Sequence, residues 1–197
     1  MKKNLKWIIC ILSVIIFLIL ACLVCIKKEL TIDNIVIDFI LKIRNENLTN
    51  IIKLITHLGS ATMVILIPIL SLLILKNKKI SLFMSLNLIL ITACQHIIKP
   101  IIGRTRPSYG LIKETSFSFP SGHSLTSMAF YGFIIYLIYK SNLKYKKLLI
   151  TLLSILIILI GFSRLYLGVH YVTDVLGGFI FSLFYLIIYI HIIKDKI

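Results

Sequence analysis

The chain has 197 residues, of which 59% are hydrophobic and 15% charged, with a mean hydropathy of +1.02 and a formal net charge of +15. Soluble domains carry roughly 45 to 50% apolar residues, so these totals exclude the soluble class and imply one membrane-embedded domain over residues 1–197. The cations fall in short clusters between apolar runs, as topology signals do, and no basic patch is interleaved with surface aromatics, which argues against a nucleic-acid partner.

A helix rises ~1.5 Å per residue and needs about 20 apolar residues to cross a bilayer core. Six stretches qualify, at about 7–26, 54–75, 80–98, 122–139, 148–166 and 175–193. The first follows Lys2, Lys3 and Lys6 and exceeds the roughly 7 to 15 residues of a signal-peptide core, so a retained span is expected. Between the first two spans Ile32, Ile35, Val36, Phe39, Ile40 and Ile43 recur at three- and four-residue steps, with Asp33, Asp38, Lys42 and Arg44 among the intervening positions. That pattern predicts an amphipathic helix on the extracytoplasmic membrane surface, most simply a connector. Cys10, Cys22, Cys25 and Cys94 sit inside apolar runs and are expected as small buried hydrophobes, without disulfide or metal-ligand spacing. His57, His96 and His191 are expected as hydrogen-bonded packing residues, His57 at most in support of a site.

Six spans place both termini on one side. With the N-terminus in the cytoplasm, the inner segments hold twelve cations, including Lys76, Lys78, Lys79, Lys140 and Lys194, against the single acid Asp195. The outer segments hold ten cations against six acids. The positive-inside rule therefore predicts cytoplasmic termini. The segments around 99–120 and 164–174 then share the extracytoplasmic face.

Those two segments carry the residues that need a chemical reason. Lys99 and Arg106-Pro107 follow the third span, and Arg offers a planar fork that takes phosphate oxygens in bidentate fashion. Pro120, Ser121 and Gly122 open the fourth span, where unpaired amides and the positive end of the helix dipole favour an anion. His123 stands beside that turn and could give a proton to a leaving oxygen. Arg164, His170 and Asp174 close the fifth span and lead into the sixth. If the sixth span starts near His170, Asp174 four residues on can hold one imidazole nitrogen as N–H and leave the other free to attack. Two histidines and an aspartate could also form a metal site. Lys99, Arg104, Arg106 and Arg164 would repel a divalent cation there, and interfacial pairing alone does not account for three clusters on one face.

Lys99 with Arg106-Pro107, Pro120-Ser121-Gly122-His123, and Ser163-Arg164 with His170 and Asp174 together resemble the three signature motifs of the type 2 phosphatidic acid phosphatase superfamily. The resemblance covers about residues 50–195. Within it, Phe117 to His123 and Tyr166 to His170, continuing to Gly178, are most similar to the small bacterial phosphatidylglycerophosphatase B type. It implies that His170 is the nucleophile of a phosphohistidine intermediate, Asp174 its orienting partner and His123 the general acid. Lys99, Arg106, Ser121, Gly122 and Arg164 would bind the phosphoryl oxygens, with no metal or other cofactor. Arg104 and Thr105 occupy variable positions of the first motif and fall outside the expected site.

The expectation is thus an all-α bundle of six transmembrane helices, a multi-pass cell-membrane protein with its site on the extracytoplasmic face. It would hydrolyse a phospholipid or isoprenoid phosphate, phosphatidylglycerol phosphate or undecaprenyl diphosphate. The motifs do not choose between these lipids. Two alternatives are a catalytically silent lipid-binding protein of the same fold and a lipid transporter. Transporters typically place broken helices at mid-membrane, whereas these charges gather at one surface.

Overall fold

The computed structural model describes residues 2–74 and 77–197, with the side chains of Lys2, Lys3 and Ala61 outside the description. Lys76 and the side chains of Lys2 and Lys3, counted above among the inner cations, lie outside the described residues, as does Leu75 at the end of the expected second span. The described residues form eight helices and no strand. These are α1 (Lys2–Ile26), α2 (Thr31–Ile43), α3 (Glu46–His57), α4 (Ala61–Ile74), α5 (Lys78–Ile102), α6 (Gly122–Lys140), α7 (Lys146–Tyr166) and α8 (Val172–Ile193).

The helix α1 shows how a uniformly apolar sequence acquires an inner face. Cys10, Ser13, Phe17, Ala21 and Val24 are buried at three- and four-residue steps, while Ile8, Ile11, Leu12, Ile15, Leu18 and Ile19 remain exposed. The buried stripe packs on α8, and the exposed aliphatics suit lipid. Cys10 is buried as expected, but Cys22 and Cys25 are exposed because they lie off that stripe.

Four helices, α1, α5, α7 and α8, are long and apolar enough to cross a bilayer, or five crossings if α3 and α4 are one bent span. The chain is therefore an all-helical, multi-pass membrane protein. The expected span at 54–75 is two helices bent by 43° at Leu58-Gly59-Ser60. Gly59 is required there because a Cβ would meet Ile160 Cγ2 of α7 at 2.5 Å. The Leu58 carbonyl freed by the break accepts a hydrogen bond from the Tyr131 hydroxyl at 2.7 Å.

The expected span at 122–139 is α6, 19 residues long and less apolar than the four helices above. It lies among α4, α5, α7 and α8, where its polar groups find protein partners. Asn87 Nδ2 of α5 donates to the Ala129 carbonyl at 2.9 Å and Ser182 of α8 to the Leu125 carbonyl at 2.7 Å. Contact with α8 is close because Gly178 has no side chain: a Cβ there would meet the Ser121 carbonyl oxygen at 2.9 Å and the Leu125 nitrogen at 3.1 Å.

The amphipathic pattern at 32–43 is a helix, α2, packed on α7 and α8. Asp33 does not join its polar face. It is fully buried, and its carboxylate accepts from the Leu30 amide at 3.0 Å at the start of the helix.

Candidate active site

Three chain segments meet at one end of the bundle. Lys99 lies in the last turn of α5 and is buried. Its Nζ donates to the Phe117 carbonyl at 2.5 Å and approaches Ser116 Oγ at 3.4 Å. The loop that follows folds back on itself, the Ser118 amide donating to the Arg104 carbonyl at 2.8 Å. It is also tied to the turn after α7, where the Leu111 amide donates to the Leu167 carbonyl at 2.8 Å. Arg106 is thereby fixed over that turn. Its guanidinium donates to the carbonyls of Ser116 at 2.6 Å and Val169 at 2.8 Å, and its Nη1 lies 3.1 Å from His170 Nε2.

The turn itself carries His170, and α8 begins at Val172. His170 therefore precedes the helix, and Asp174 is its third residue. They meet across a helix start, with Asp174 Oδ2 accepting the Tyr171 amide at 2.9 Å and lying 3.3 Å from His170 Nδ1. Ser118 also donates to Oδ2. A guanidinium can only donate, so Arg106 at Nε2 and the carboxylate at Nδ1 together select the tautomer with hydrogen on Nδ1.

A cavity of about 250 Å³ opens on this turn. Of the residues expected to form a site, Lys99, Arg106, Gly122, His123, Arg164 and His170 line it. Asp174 stands behind His170. Ser121 is not brought to the cavity wall: it is fully buried, and its hydroxyl accepts from Ser124 at 2.9 Å. The first amides of α6, which starts at Gly122, lack intrahelical partners by their position. Arg164 donates to Thr56 Oγ1 at 2.9 Å and to Glu114 Oε1 at 2.6 Å, and its buried Nε has no partner among the described residues. His57, beside Thr56, is exposed. The far wall is apolar, with Val64, Ile65 and Leu88 from α4 and α5, joined by Thr92, Gln95 and Thr126. Among the described residues no three His, Cys, Asp or Glu side chains group to hold a metal ion.

The cations around the cavity attract the one acid in its wall. Burial would raise the Glu114 carboxyl, but Arg164 and Arg106 overcome that and hold it below the usual carboxylate range. Burial has the opposite sign for a base. It pushes His170 down to about 4, despite the pull of Asp174 in the other direction, so the imidazole is neutral at physiological pH.

The profile of the PAP2 superfamily matches residues 80–197, which takes in α5 to α8 and every motif described above. The chain belongs to the PAP2 superfamily. Among curated PAP2-like proteins it is 46% identical over 87 residues to the phosphatidylglycerophosphatase B of Bacillus subtilis strain 168, covering 42% of this chain and 43% of that one. It is 33% identical over 98 residues to a lipid A 1-phosphatase of Rhizobium etli, covering 44% and 39%. The chain thus matches less than half the length of these curated relatives. Its fold is like that of the crystallised transmembrane PAP2-type phosphatidylglycerolphosphate phosphatase of Bacillus subtilis. The TM-score there is 0.86 and the identity 31%, with 95% of this chain and 96% of that one covered.

Within this PAP2 chain several wall and support residues were not visible in the motifs. Glu114, Ser116 and Gln95 line the cavity from loop and helix positions that carry no spacing signal. Arg104, set aside as a variable motif position, is among the most buried side chains of the protein. An arginine two residues before Arg106 at the end of a membrane helix was the available signal, since a cation there needs an anionic partner or water.

Proposed function

We propose that the chain is a membrane lipid phosphate phosphatase acting through a phosphohistidine on His170. The observation that carries this is the disposition of one imidazole. Its Nδ1 faces the buried Asp174 carboxylate at 3.3 Å, while its Nε2 faces a cavity ringed by Lys99, Arg106, Gly122, His123 and Arg164. Nε2 attacks the phosphorus as the bond to the lipid oxygen breaks, and His123 gives its proton to that oxygen. A phosphate entering beside His123 favours the charged imidazole that this step needs. Water then breaks the P–N bond, with His123 taking its proton, and inorganic phosphate leaves. Arg106, which caps Nε2 in the resting site, passes to the phosphoryl oxygens with Lys99, Arg164 and the first amides of α6, where charge develops. Ser121, buried beneath those amides, supports the turn through its backbone.

The apolar wall fits the lipid side of the scissile bond. Phosphatidylglycerol phosphate and an isoprenoid diphosphate such as undecaprenyl diphosphate both present a phosphate on an apolar tail, and they are the substrates we propose. The charge distribution supports six crossings with α2 on the outer membrane surface, cytoplasmic termini and an extracytoplasmic site. Purified protein given both lipids in EDTA should release phosphate. His170→Ala should abolish turnover while lipid still binds. A requirement for added divalent metal would refute the mechanism, and turnover of water-soluble esters alone would refute the lipid assignment.

A further inference from the structure

Arg104 and Asp33 are fully buried, form an ion pair at 2.7 Å and do not line the cavity. Removing both charges from water is costly unless every donor and acceptor is met. Here each guanidinium nitrogen and both Asp33 oxygens have partners, and those partners lead to the nucleophile. Arg104 donates through Nη1 to Asp174 Oδ1 and to Thr173 Oγ1 at 2.7 Å, through Nη2 to Asp33, and through Nε to the Lys28 carbonyl at 2.7 Å. Its face lies 4.0 Å from the Tyr171 ring centre, and the Tyr171 hydroxyl donates to Glu29 at 2.7 Å. Asp33 in turn accepts the Thr173 amide at 3.1 Å and its hydroxyl at 2.8 Å. Residues 28–33, ahead of α2 and in its first turn, thus clamp the first turn of α8.

We propose that Arg104, anchored by Asp33, is a positioning residue for the reaction. By occupying Oδ1 it fixes the Asp174 carboxylate with Oδ2 toward His170, so the imidazole hydrogen stays on Nδ1 and Nε2 stays bare. The proposal rests on His170 being the nucleophile. Lysine does not replace Arg104, because the four bonds run from three nitrogens of one planar fork. An ammonium satisfies the charge and leaves the carboxylate free to turn.

The test uses the full chain in detergent, with dioctanoyl phosphatidic acid as substrate and 15N-histidine labelling to read the His170 tautomer, assigned by its loss in His170→Ala. Arg104→Lys should lower kcat at least tenfold with KM within twofold, and His170 should lose its pure Nδ1–H signature. Asp33→Asn should act in the same direction, by threefold or more. Melting temperature is measured in parallel, since a purely structural clamp would lower stability while leaving kcat and tautomer of the folded fraction unchanged. A folded Arg104→Lys with kcat within twofold and an unchanged tautomer overturns the proposal. If Arg104→Lys does not fold, Asp33→Asn and Thr173→Val decide by the same two readouts. Retained turnover in His170→Ala would instead overturn the reading of the function on which the proposal rests.

Discussion

Replacing Asp174 by Asn removes one charge and keeps the volume, and the surroundings make the result calculable in outline. Oδ2 faces three donors, the Tyr171 amide at 2.9 Å, the Ser118 hydroxyl and His170 Nδ1 at 3.3 Å, and Oδ1 faces Arg104. An asparagine must put its NH2 group at one of these places. At the Oδ1 position it meets a guanidinium that can only donate; at the Oδ2 position it meets the Tyr171 N–H and forces His170 into the opposite tautomer. Either arrangement loses at least one charge-assisted hydrogen bond, worth about 1.5 to 3 kcal/mol, or roughly 10- to 150-fold in rate if felt in the transition state. Tautomer inversion costs more, as the comparable change in a serine-protease triad lowers kcat by about 10⁴. The expected outcome is a fall in kcat of at least about tenfold, approaching 10⁴ if the tautomer inverts, with KM little changed. Rapid-quench measurement of phosphoenzyme formation in the purified, folded variant checks it. A phosphorylation rate within fivefold of the parent would refute the role given to the carboxylate.

His123→Ala should slow release of a lipid alcohol by about 10² to 10⁴, and the deficit should shrink with a nitrophenyl leaving group that needs no proton; equal deficits for both esters would assign His123 elsewhere. The acid limb of kcat/KM owed to His170 should lie near pH 4 rather than 6.5, because its folded value is depressed to about 4. The substrate's own titration is followed by 31P NMR and divided out. The same shift costs stability as pH falls from 6.5 toward 4, since the unfolded chain binds that proton first. Glu114→Gln removes the carboxylate that competes for Arg164 and Arg106. KM for a lipid phosphate should fall about threefold, the scale of a partly exposed ion pair, and a raised KM would mean that Glu114 orients Arg164 for the substrate. Gly178→Ala places a methyl group 2.9 Å from the Ser121 carbonyl oxygen and 3.1 Å from the Leu125 nitrogen of α6 and should destabilise the protein by about 1 to 3 kcal/mol, read as a lower melting temperature in detergent.

Much of the site was legible because its chemistry demands residue types that a membrane otherwise excludes. Lys99, Arg106, His123, Arg164 and His170 interrupt apolar sequence, and they line one cavity. The spacing of His170 and Asp174 was also readable, although their contact comes from a helix start rather than a shared helix face. Ser121 looked like a ligand by type, but packing turns its hydroxyl to Ser124. Glu114 could not be found, since a loop acid acquires meaning only from the cations that folding brings to it.

Composition and periodicity by themselves determined the membrane class, the helical content and the residues able to handle an anion, because these follow from local transfer free energies and residue chemistry. The tertiary structure alone decided where the second apolar stretch breaks, and Ile160 of α7 approaches Gly59 at that break too closely for a side chain there. It alone decided that α6 sits among other helices and that Asp33, on an apparently amphipathic helix, turns inward. Asp33 lies 71 residues from its partner Arg104. A pairing over that separation has no periodic trace in the chain, because it forms only where the loop after α5, which carries Arg104, meets α2 and the first turn of α8.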